Sequence, residues 1–177
     1  EVVLVHGLAE HMGRYAHVGE ALRAAGFKVL GIELRGHGHS GGARGHVLRW
    51  SDYTDDLAAA FAEVGGPAFI VAHSMGGLVS IDALLTRSDI QARGLVISNP
   101  LLGTASAPPK LKVLAGRLLS RILPGLALAN ELDSRLLSRD LEVVRRYQED
   151  PLVFSTITPR WFTEHTKAMA RAHNPYG

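Results

Sequence analysis

Residues 69–78 read FIVAHSMGGL, in which a serine separates an apolar run from apolar side chains at helical spacing. The run 67–72 has the composition of a buried strand. A turn as sharp as this strand-to-helix junction tolerates only small residues two before and two after the serine, and Ala72 and Gly76 meet that requirement. The pattern predicts that Ser74 stands exposed above the end of a sheet, as a candidate nucleophile.

Similar apolar runs and helical patterns alternate through the first hundred residues. Further strands are predicted at 2–5, 28–33 and 93–98, and helices at 14–25, 51–64 and 74–87. None of the runs shows the alternation of a half-exposed strand, which is typical of parallel strands covered on both faces. The fold class predicted is therefore α/β, a parallel sheet with flanking helices.

The character of the chain changes after Pro100. No strand-like run is found in 104–160, and helices are predicted at 111–128, 140–148 and 159–172. We therefore expect three parts: a sheet core over 1–103, a helical insertion over 104–160 that Pro108 and Pro109 open, and a helix over 161–177 that returns to the core.

Composition excludes several classes of site. The chain has no Cys, which excludes disulfides, thiolate metal sites and a cysteine nucleophile. Its formal net charge is +2, with no basic run interleaved with aromatics, so no nucleic-acid interface is indicated. No apolar stretch approaches the roughly 18 residues of a spanning helix.

A serine nucleophile needs hydrogen-bond donors for the oxyanion that forms in acyl transfer. Met75 begins the predicted helix, where its N–H is free to point at that oxygen. A second donor is expected from the loop after an earlier strand, here 2–5, which runs into HGLAEH. Gly7 permits the backbone to turn inward, so the Leu8 N–H is the predicted second donor.

Three motifs carry a resemblance to a known family. They are HGLAEHMGRY (6–15), ELRGHGHSGGARGHV (33–47) and AHSMGG (72–77). In this order they closely resemble the monoacylglycerol lipase and lysophospholipase branch of the α/β-hydrolases, which is often grouped with serine aminopeptidase-type domains. Two departures are small: Ala72 stands where the family usually has Gly, and Glu33 where it usually has Asp.

The resemblance implies a partial α/β-hydrolase fold with Ser74 as nucleophile, Leu8 and Met75 as the oxyanion hole, and 104–160 as a helical cap that shapes a lipid-binding mouth. The implied activity is hydrolysis of single-chain lipid esters, monoacylglycerols or lysophospholipids, through an acyl-enzyme that needs no cofactor or metal. Peptidase, thioesterase and haloperoxidase activities stay open, because this fold hosts many reactions.

The basic, amphipathic segment 110–123 has two readings. Its leucine face packs over the active site as part of the cap, or it lies on a membrane surface and collects lipid substrate. The partner expected in either case is a small lipid ester.

The partners that would activate Ser74 are not evident. A histidine must take the serine proton, and a carboxylate must orient that histidine. His165 and His173 follow Ser74 in the chain, but no strand-like run after Ser98 would place them on a loop at the sheet. The resemblance puts the acid and the histidine beyond Gly177, and it places residue 1 at the third strand, so we expect a chain truncated at both ends. A non-catalytic fragment is the alternative.

The segment 33–47 invites two other interpretations. Residues 36–41 match G-x-G-x-x-G, but a dinucleotide site requires a helix to begin at the motif, and a loop continues to Ser51. His37, His39 and His46 form too common a pattern to indicate a metal site without suitably spaced carboxylates. We predict instead that they make loop hydrogen bonds near the active-site mouth.

Overall fold

A four-stranded parallel sheet forms the centre of the computed structural model, which describes residues 1–103, 109–130 and 132–175. The strands are β1 (Val2–Val5), β2 (Val29–Ile32), β3 (Ala68–His73) and β4 (Ala92–Ser98), in the order β2-β1-β3-β4. Every adjacent pair is parallel. The predicted strands and the α/β fold class are therefore confirmed.

Helices connect the strands and cover the sheet, since parallel neighbours need crossover connections. A 3₁₀ turn at Met12–Tyr15 leads into α1 (Ala16–Ala24), and α2 (Ser51–Val64) and α3 (Met75–Thr86) flank β3 in the chain. α2 and α3 pack against each other. Their apolar side chains join those of β1 and β3 in one buried cluster, which includes Val3, Val5, Leu57, Ile70 and Leu78.

Three α-helices follow β4: α4 (Lys110–Ile122), α5 (Leu141–Glu149) and α6 (Pro159–His173). α4 packs against α6, and α6 packs against α3. The Arg171 guanidinium on α6 donates to the buried Asp82 carboxylate on α3, with Nε 2.7 Å from Oδ1. This ion pair ties α6 to α3, which packs on the sheet.

The structure corrects two predictions in this region. The predicted helix over 111–128 ends at Ile122, because Pro124 has no N–H to continue the helical hydrogen bonds. The expectation of no strand in 104–160 is wrong, since β5 (Leu128–Ala129) pairs antiparallel with β6 (Thr156–Ile157). Strands of two residues are too short to leave a periodic signal.

Other predictions fall partly outside the described residues. The start of the insertion at residues 104–108, with Pro108, lies outside them, as do Tyr176 and Gly177 of the returning helix. In the parts of the chain that are described, no helix combines the length and apolar character that a membrane span needs.

Candidate active site

Ser74 occupies a sharp turn between β3 and α3. Its φ is 49° and its ψ −114°, a backbone conformation that costs a non-glycine residue about 1–3 kcal/mol. Hydrogen bonds hold the turn: the Ser74 N–H donates to Ser98 O at 3.0 Å, and the Ser74 carbonyl accepts from Gly77 N at 3.0 Å and Leu101 N at 2.9 Å. The turn thus lifts the serine side chain off the end of β3.

Two glycines after the serine let α3 approach the sheet closely. A Cβ on Gly76 would clash with the carbonyl of His6 and lie 2.7 Å from that of Val5. A Cβ on Gly77 would lie 2.7 Å from Ile97 Cγ2. Because these neighbours belong to β1, to the loop after it and to β4, any side chain at either position would push the helix away from the sheet.

The loop after β1 lies against the serine. A Cβ on Gly7 would be 3.2 Å from Ser74 Cβ, so the backbone passes close to the serine there. Leu8 and Ser74 line the same cavity, and Met75 follows the serine. Within the described ranges, neither the Leu8 N–H nor the Met75 N–H donates a hydrogen bond. The structure thus brings the three predicted site residues together.

His6 fixes the orientation of the Gly7–Leu8 peptide. Its Nδ1 lies 2.7 Å from Gly7 O, and its Nε2 lies 3.1 Å from Leu34 N. Since a carbonyl only accepts and an N–H only donates, His6 is neutral with its proton on Nδ1. Burial lowers the pKa of His6, which favours this neutral form. In a trans peptide the N–H points opposite to the carbonyl, so the Leu8 N–H is directed away from His6.

A buried carboxylate holds the same loop from another side. Glu10 Oε1 accepts from Gly7 N at 2.6 Å and from the Tyr15 hydroxyl at 2.5 Å, and Oε2 accepts from Arg14 Nε at 3.0 Å. Burial, reinforced by Glu10, raises the pKa of Tyr15, so its hydroxyl stays a donor. Glu10, Arg14 and Tyr15 lie within the motif 6–15, for which the sequence predicts roles only for Gly7 and Leu8.

A cavity of about 440 Å³ opens above Ser74. One wall comes from residues 1–103 and includes Leu8, Val71 and Leu101, and the other wall comes from α5 and the segment before it. That second wall consists of Leu132, Leu137, Val143 and Tyr147. The lining is mainly apolar, and Glu10 and Arg14 are its only charged members among the described residues. A second cavity, of about 170 Å³, lies at the opposite ends of β1 and β2 and contains no candidate nucleophile.

The two histidines weighed as bases lie elsewhere. His165 is buried in α6, where its ring stacks on Trp161 with centroids 4.8 Å apart, and burial lowers its pKa to about 4. His173 Nε2 lies 2.6 Å from the Leu102 carbonyl. The cavity is lined instead by His17 and His73. In the described part of the chain, no side chain hydrogen-bonds to the Ser74 hydroxyl.

The loop between β2 and α2 is structural. No helix begins within 36–41, because α2 starts only at Ser51. His37 is fully buried and donates from Nδ1 to Arg35 O at 3.0 Å, while His46 Nδ1 lies 2.9 Å from Thr158 Oγ1. The predicted hydrogen bonds are thus present for His37 and His46, whereas His39 contributes only its backbone N–H, to Glu33 Oε2. None of the three lines the cavity at Ser74, so their predicted place near its mouth is wrong. The described residues contain no cluster of His, Asp or Glu suited to a metal ion.

Comparison with known proteins decides the family. The model of the family "Serine aminopeptidase, S33" matches residues 1–177. The chain belongs to this S33 family. A solved S33-like neighbour, the monoacylglycerol lipase of Paleococcus ferrophilus, superimposes with a TM-score of 0.90 at 41% identity, covering 98% of this chain and 67% of that chain.

Curated relatives place the chain in the same branch of the S33 family. The monoacylglycerol lipase of Mycolicibacterium smegmatis is 36% identical over 86% of this chain and 55% of its own length. Phospholipase YtpA of Bacillus subtilis is 31% identical over 98% of this chain and 68% of its own length. The predicted resemblance to the monoacylglycerol lipase branch of the α/β-hydrolases is therefore confirmed. The chain spans about half the length of most curated relatives that it matches.

Proposed function

We propose that this S33 chain is the nucleophile-bearing part of a serine hydrolase that cleaves single-chain lipid esters, monoacylglycerols or lysophospholipids. Ser74 attacks the acyl carbonyl, the Leu8 and Met75 N–H groups bind the oxyanion, and water releases the acyl group from Ser74. The observation that carries the proposal is the strained Ser74 turn, which faces a mainly apolar cavity beside two N–H groups that have no partner among the described residues.

The lining of the cavity favours a lipid ester over a peptide amino terminus. An aminopeptidase needs a free carboxylate to bind the substrate ammonium group. Glu10 is the one acid among the described lining residues, and its oxygens already accept from Gly7, Arg14 and Tyr15. Leu132, Leu137 and Val143 offer instead an apolar surface suited to an acyl chain.

We further propose that 1–103 is the catalytic core, 104–160 the cap and 161–177 the returning helix. In support, the wall of the cavity opposite Ser74 comes from residues 132–147. We also propose that the base and its acid lie outside these 177 residues, since His165 and His173 are both engaged away from the cavity.

Labelling with a fluorophosphonate probe tests the mechanism. We expect no labelling of this chain alone and strong labelling of a version extended by roughly a hundred residues, as a missing activating histidine requires. Ser74→Ala should abolish labelling of the extended version, while Ser88→Ala, a control at an exposed serine that does not line the cavity, should leave it unchanged. Labelling that survives Ser74→Ala would disprove the role of Ser74.

The substrate class is tested separately, with the extended version. We expect hydrolysis of a monoacylglycerol or a lysophospholipid to exceed that of an aminoacyl anilide by at least about a hundredfold in kcat/KM, a difference of about 2.7 kcal/mol in transition-state binding. Preference for the anilide would replace the esterase proposal with a peptidase.

α4 supplies a surface suited to a membrane that carries this lipid substrate. Leu111, Leu114, Leu118 and Ile122 form an apolar row, each 58–77% exposed. Lys110, Arg117 and Arg121 are exposed beside that row. An amphipathic helix with a basic edge matches the charge of an anionic lipid surface. We therefore propose peripheral contact with anionic bilayers through α4.

Vesicle co-sedimentation tests the membrane proposal. We expect binding to vesicles that contain phosphatidylglycerol and weaker binding to purely zwitterionic ones. Leu114→Gln with Leu118→Gln should reduce binding, whereas Leu48→Gln, an equally exposed leucine in the sheet region, should not. Equal binding by all variants would argue against α4 as the contact surface.

A further inference from the structure

Glu10 occupies an unusual position for a buried acid. It is 8% exposed, and its carboxylate oxygens accept hydrogen bonds from nearby residues of the same segment of chain. Oε1 lies 2.6 Å from Gly7 N and 2.5 Å from the Tyr15 hydroxyl, and Oε2 lies 3.0 Å from Arg14 Nε. An ionised carboxylate with three donors is a strong, directional anchor, because charge-assisted hydrogen bonds are about twice as strong as neutral ones.

The peptide that this anchor holds is the one next to the proposed oxyanion donor. Glu10 fixes the N–H of Gly7, and His6 Nδ1 fixes the Gly7 carbonyl at 2.7 Å. Both peptide groups that flank the Gly7 Cα are therefore held, although glycine would otherwise leave them free to rotate. The Leu8 N–H has no acceptor among the described residues, and Leu8 lines the same cavity as Ser74.

Space at Gly7 reinforces the arrangement. A Cβ on Gly7 would lie 2.7 Å from Glu10 Oε1 and 3.2 Å from Ser74 Cβ, so the carboxylate and the serine both lie close to this glycine. Without the carboxylate, the Gly7 N–H would lose its acceptor, and His6 alone would hold the Gly7–Leu8 peptide, through the Gly7 carbonyl. The Leu8 N–H would then be aligned less firmly with the reacting oxygen. An oxyanion hole depends on donors that are in place before the charge forms.

We infer that Glu10 is a positioning residue for ester hydrolysis: its carboxylate, held by Tyr15 and Arg14, locks the Gly7–Leu8 backbone so that the Leu8 N–H faces the oxyanion. The inference rests on the proposed function, because it assigns a role in that reaction. Although Glu10 lines the cavity, its carboxylate oxygens are engaged by Gly7, Arg14 and Tyr15. Its effect is transmitted through the backbone to a group that acts in the transition state.

Kinetics of Glu10→Ala and Glu10→Gln in the full-length protein that carries this chain test the inference. For Glu10→Ala we expect kcat to fall about a hundredfold with KM within about twofold, as loss of one oxyanion donor does. Glu10→Gln keeps an oxygen for Gly7 and Tyr15 and should recover about tenfold of that loss. Affinity for a trifluoromethyl ketone, which forms an oxyanion on Ser74, should fall in parallel with kcat.

Glu164→Gln is the matched control. Glu164 is also 8% exposed and also accepts from a backbone N–H, that of Trp50 at 3.2 Å, but it does not line the cavity. We expect its substitution to lower the melting temperature while kcat stays within about twofold. A kcat for the Glu10 variants no lower than that of Glu164→Gln, or a change confined to KM, would overturn the inference.

A crystal structure of Glu10→Gln and Glu10→Ala separates this inference from the proposed function. We expect the Gly7–Leu8 peptide to keep its orientation with Gln and to rotate with Ala. An unchanged peptide in Glu10→Ala overturns the positioning role whatever the enzyme hydrolyses. Lipid-ester hydrolysis that survives Ser74→Ala would instead refute the proposed function and leave the loop geometry to be judged on the crystal structures.

Discussion

The sheet region, residues 1–103, and the helical region, residues 109–158, treat their apolar side chains in opposite ways. In the first, the strand and helix side chains Val3, Leu57, Ile70 and Leu78 are almost fully buried. In the second, the large apolar residues are mostly exposed, with Leu136 84% and Leu141 81% accessible. Burial of apolar surface is the main source of folding free energy, so the sheet region supplies most of the stability.

This difference in burial suits the two regions to different structural roles. The sheet region must hold the Ser74 turn against its strain, which requires a rigid, close-packed surround. The helical region contributes one wall of the cavity and, on α4, a row of exposed apolar side chains with basic residues beside it. Neither feature requires dense packing. Surface leucines that contribute little to stability are available for contact with lipid.

The two regions should differ most in how much stability they lose when a glycine is replaced by alanine. Gly76→Ala places a Cβ against the Val5 and His6 carbonyls, and overpacking against backbone should lower the free energy of unfolding by at least about 3 kcal/mol. For a chain of this size that corresponds to a fall in melting temperature of roughly 6–12 °C. Thermal unfolding followed by circular dichroism measures it.

Gly125→Ala is the matched change in the helical region, since no heavy atom lies within 4 Å of its added Cβ. We expect its free energy of unfolding to change by less than about 0.5 kcal/mol. Similar losses for the two variants would mean that α3 is not held as close to β1 as described.

Leucine truncation gives the next largest effect. Leu57 is fully buried in α2, and Leu57→Ala should cost about 2–5 kcal/mol in urea unfolding, as deletion of core methyl groups does. Leu118 is 58% exposed on α4, and Leu118→Ala should change stability by less than about 0.5 kcal/mol. A large loss at Leu118 would erase the distinction between the regions and show that the α4 row is covered.

The smallest effect expected is in the pH dependence of stability. Burial lowers the pKa of His37 from 6.5 to about 3, with His6 adding to the shift, so the folded protein keeps this ring neutral where the unfolded chain protonates it. Its contribution to stability is therefore full above pH 6.5 and declines as the pH falls toward 3. One such proton corresponds to a slope of about 1.4 kcal/mol per pH unit.

The measurement compares urea unfolding of the wild type and His37→Phe between pH 4 and 6. We expect the wild type to lose stability faster on acidification, by about that slope, because Phe cannot take up the proton. Parallel curves would contradict the burial of His37 in the sheet region.

The Ser74 turn could be predicted because its requirements are local. Small residues at fixed offsets from a serine encode the backbone bend itself, and the apolar runs encode the strands and helices around it. The Leu8 loop was predictable for a related reason, since a glycine directly after a strand marks a place where the backbone turns.

Other parts of the structure are not encoded in local sequence patterns. The contacts of Glu10 with Gly7, Arg14 and Tyr15 arise in an irregular loop, where spacing along the chain does not say which side chains meet. β5 and β6 have two residues each, and their paired residues lie 27 and 29 positions apart in the chain. Strands this short leave no periodic pattern in the sequence. The end of α4 was misplaced because apolar residues continue past Pro124 to Leu128, and the proline outweighed the pattern.

The hydrogen bond between His11 and Asp150, with Nε2 2.7 Å from Oδ2, joins residues 139 positions apart. Contacts of such separation carry a large loop-closure entropy and form only after local structure has shortened the intervening chain. We therefore expect the loop after β1 to reach its final conformation late in refolding, after the sheet has assembled. On this order of events, the capacity for chemistry would be acquired more slowly than secondary structure.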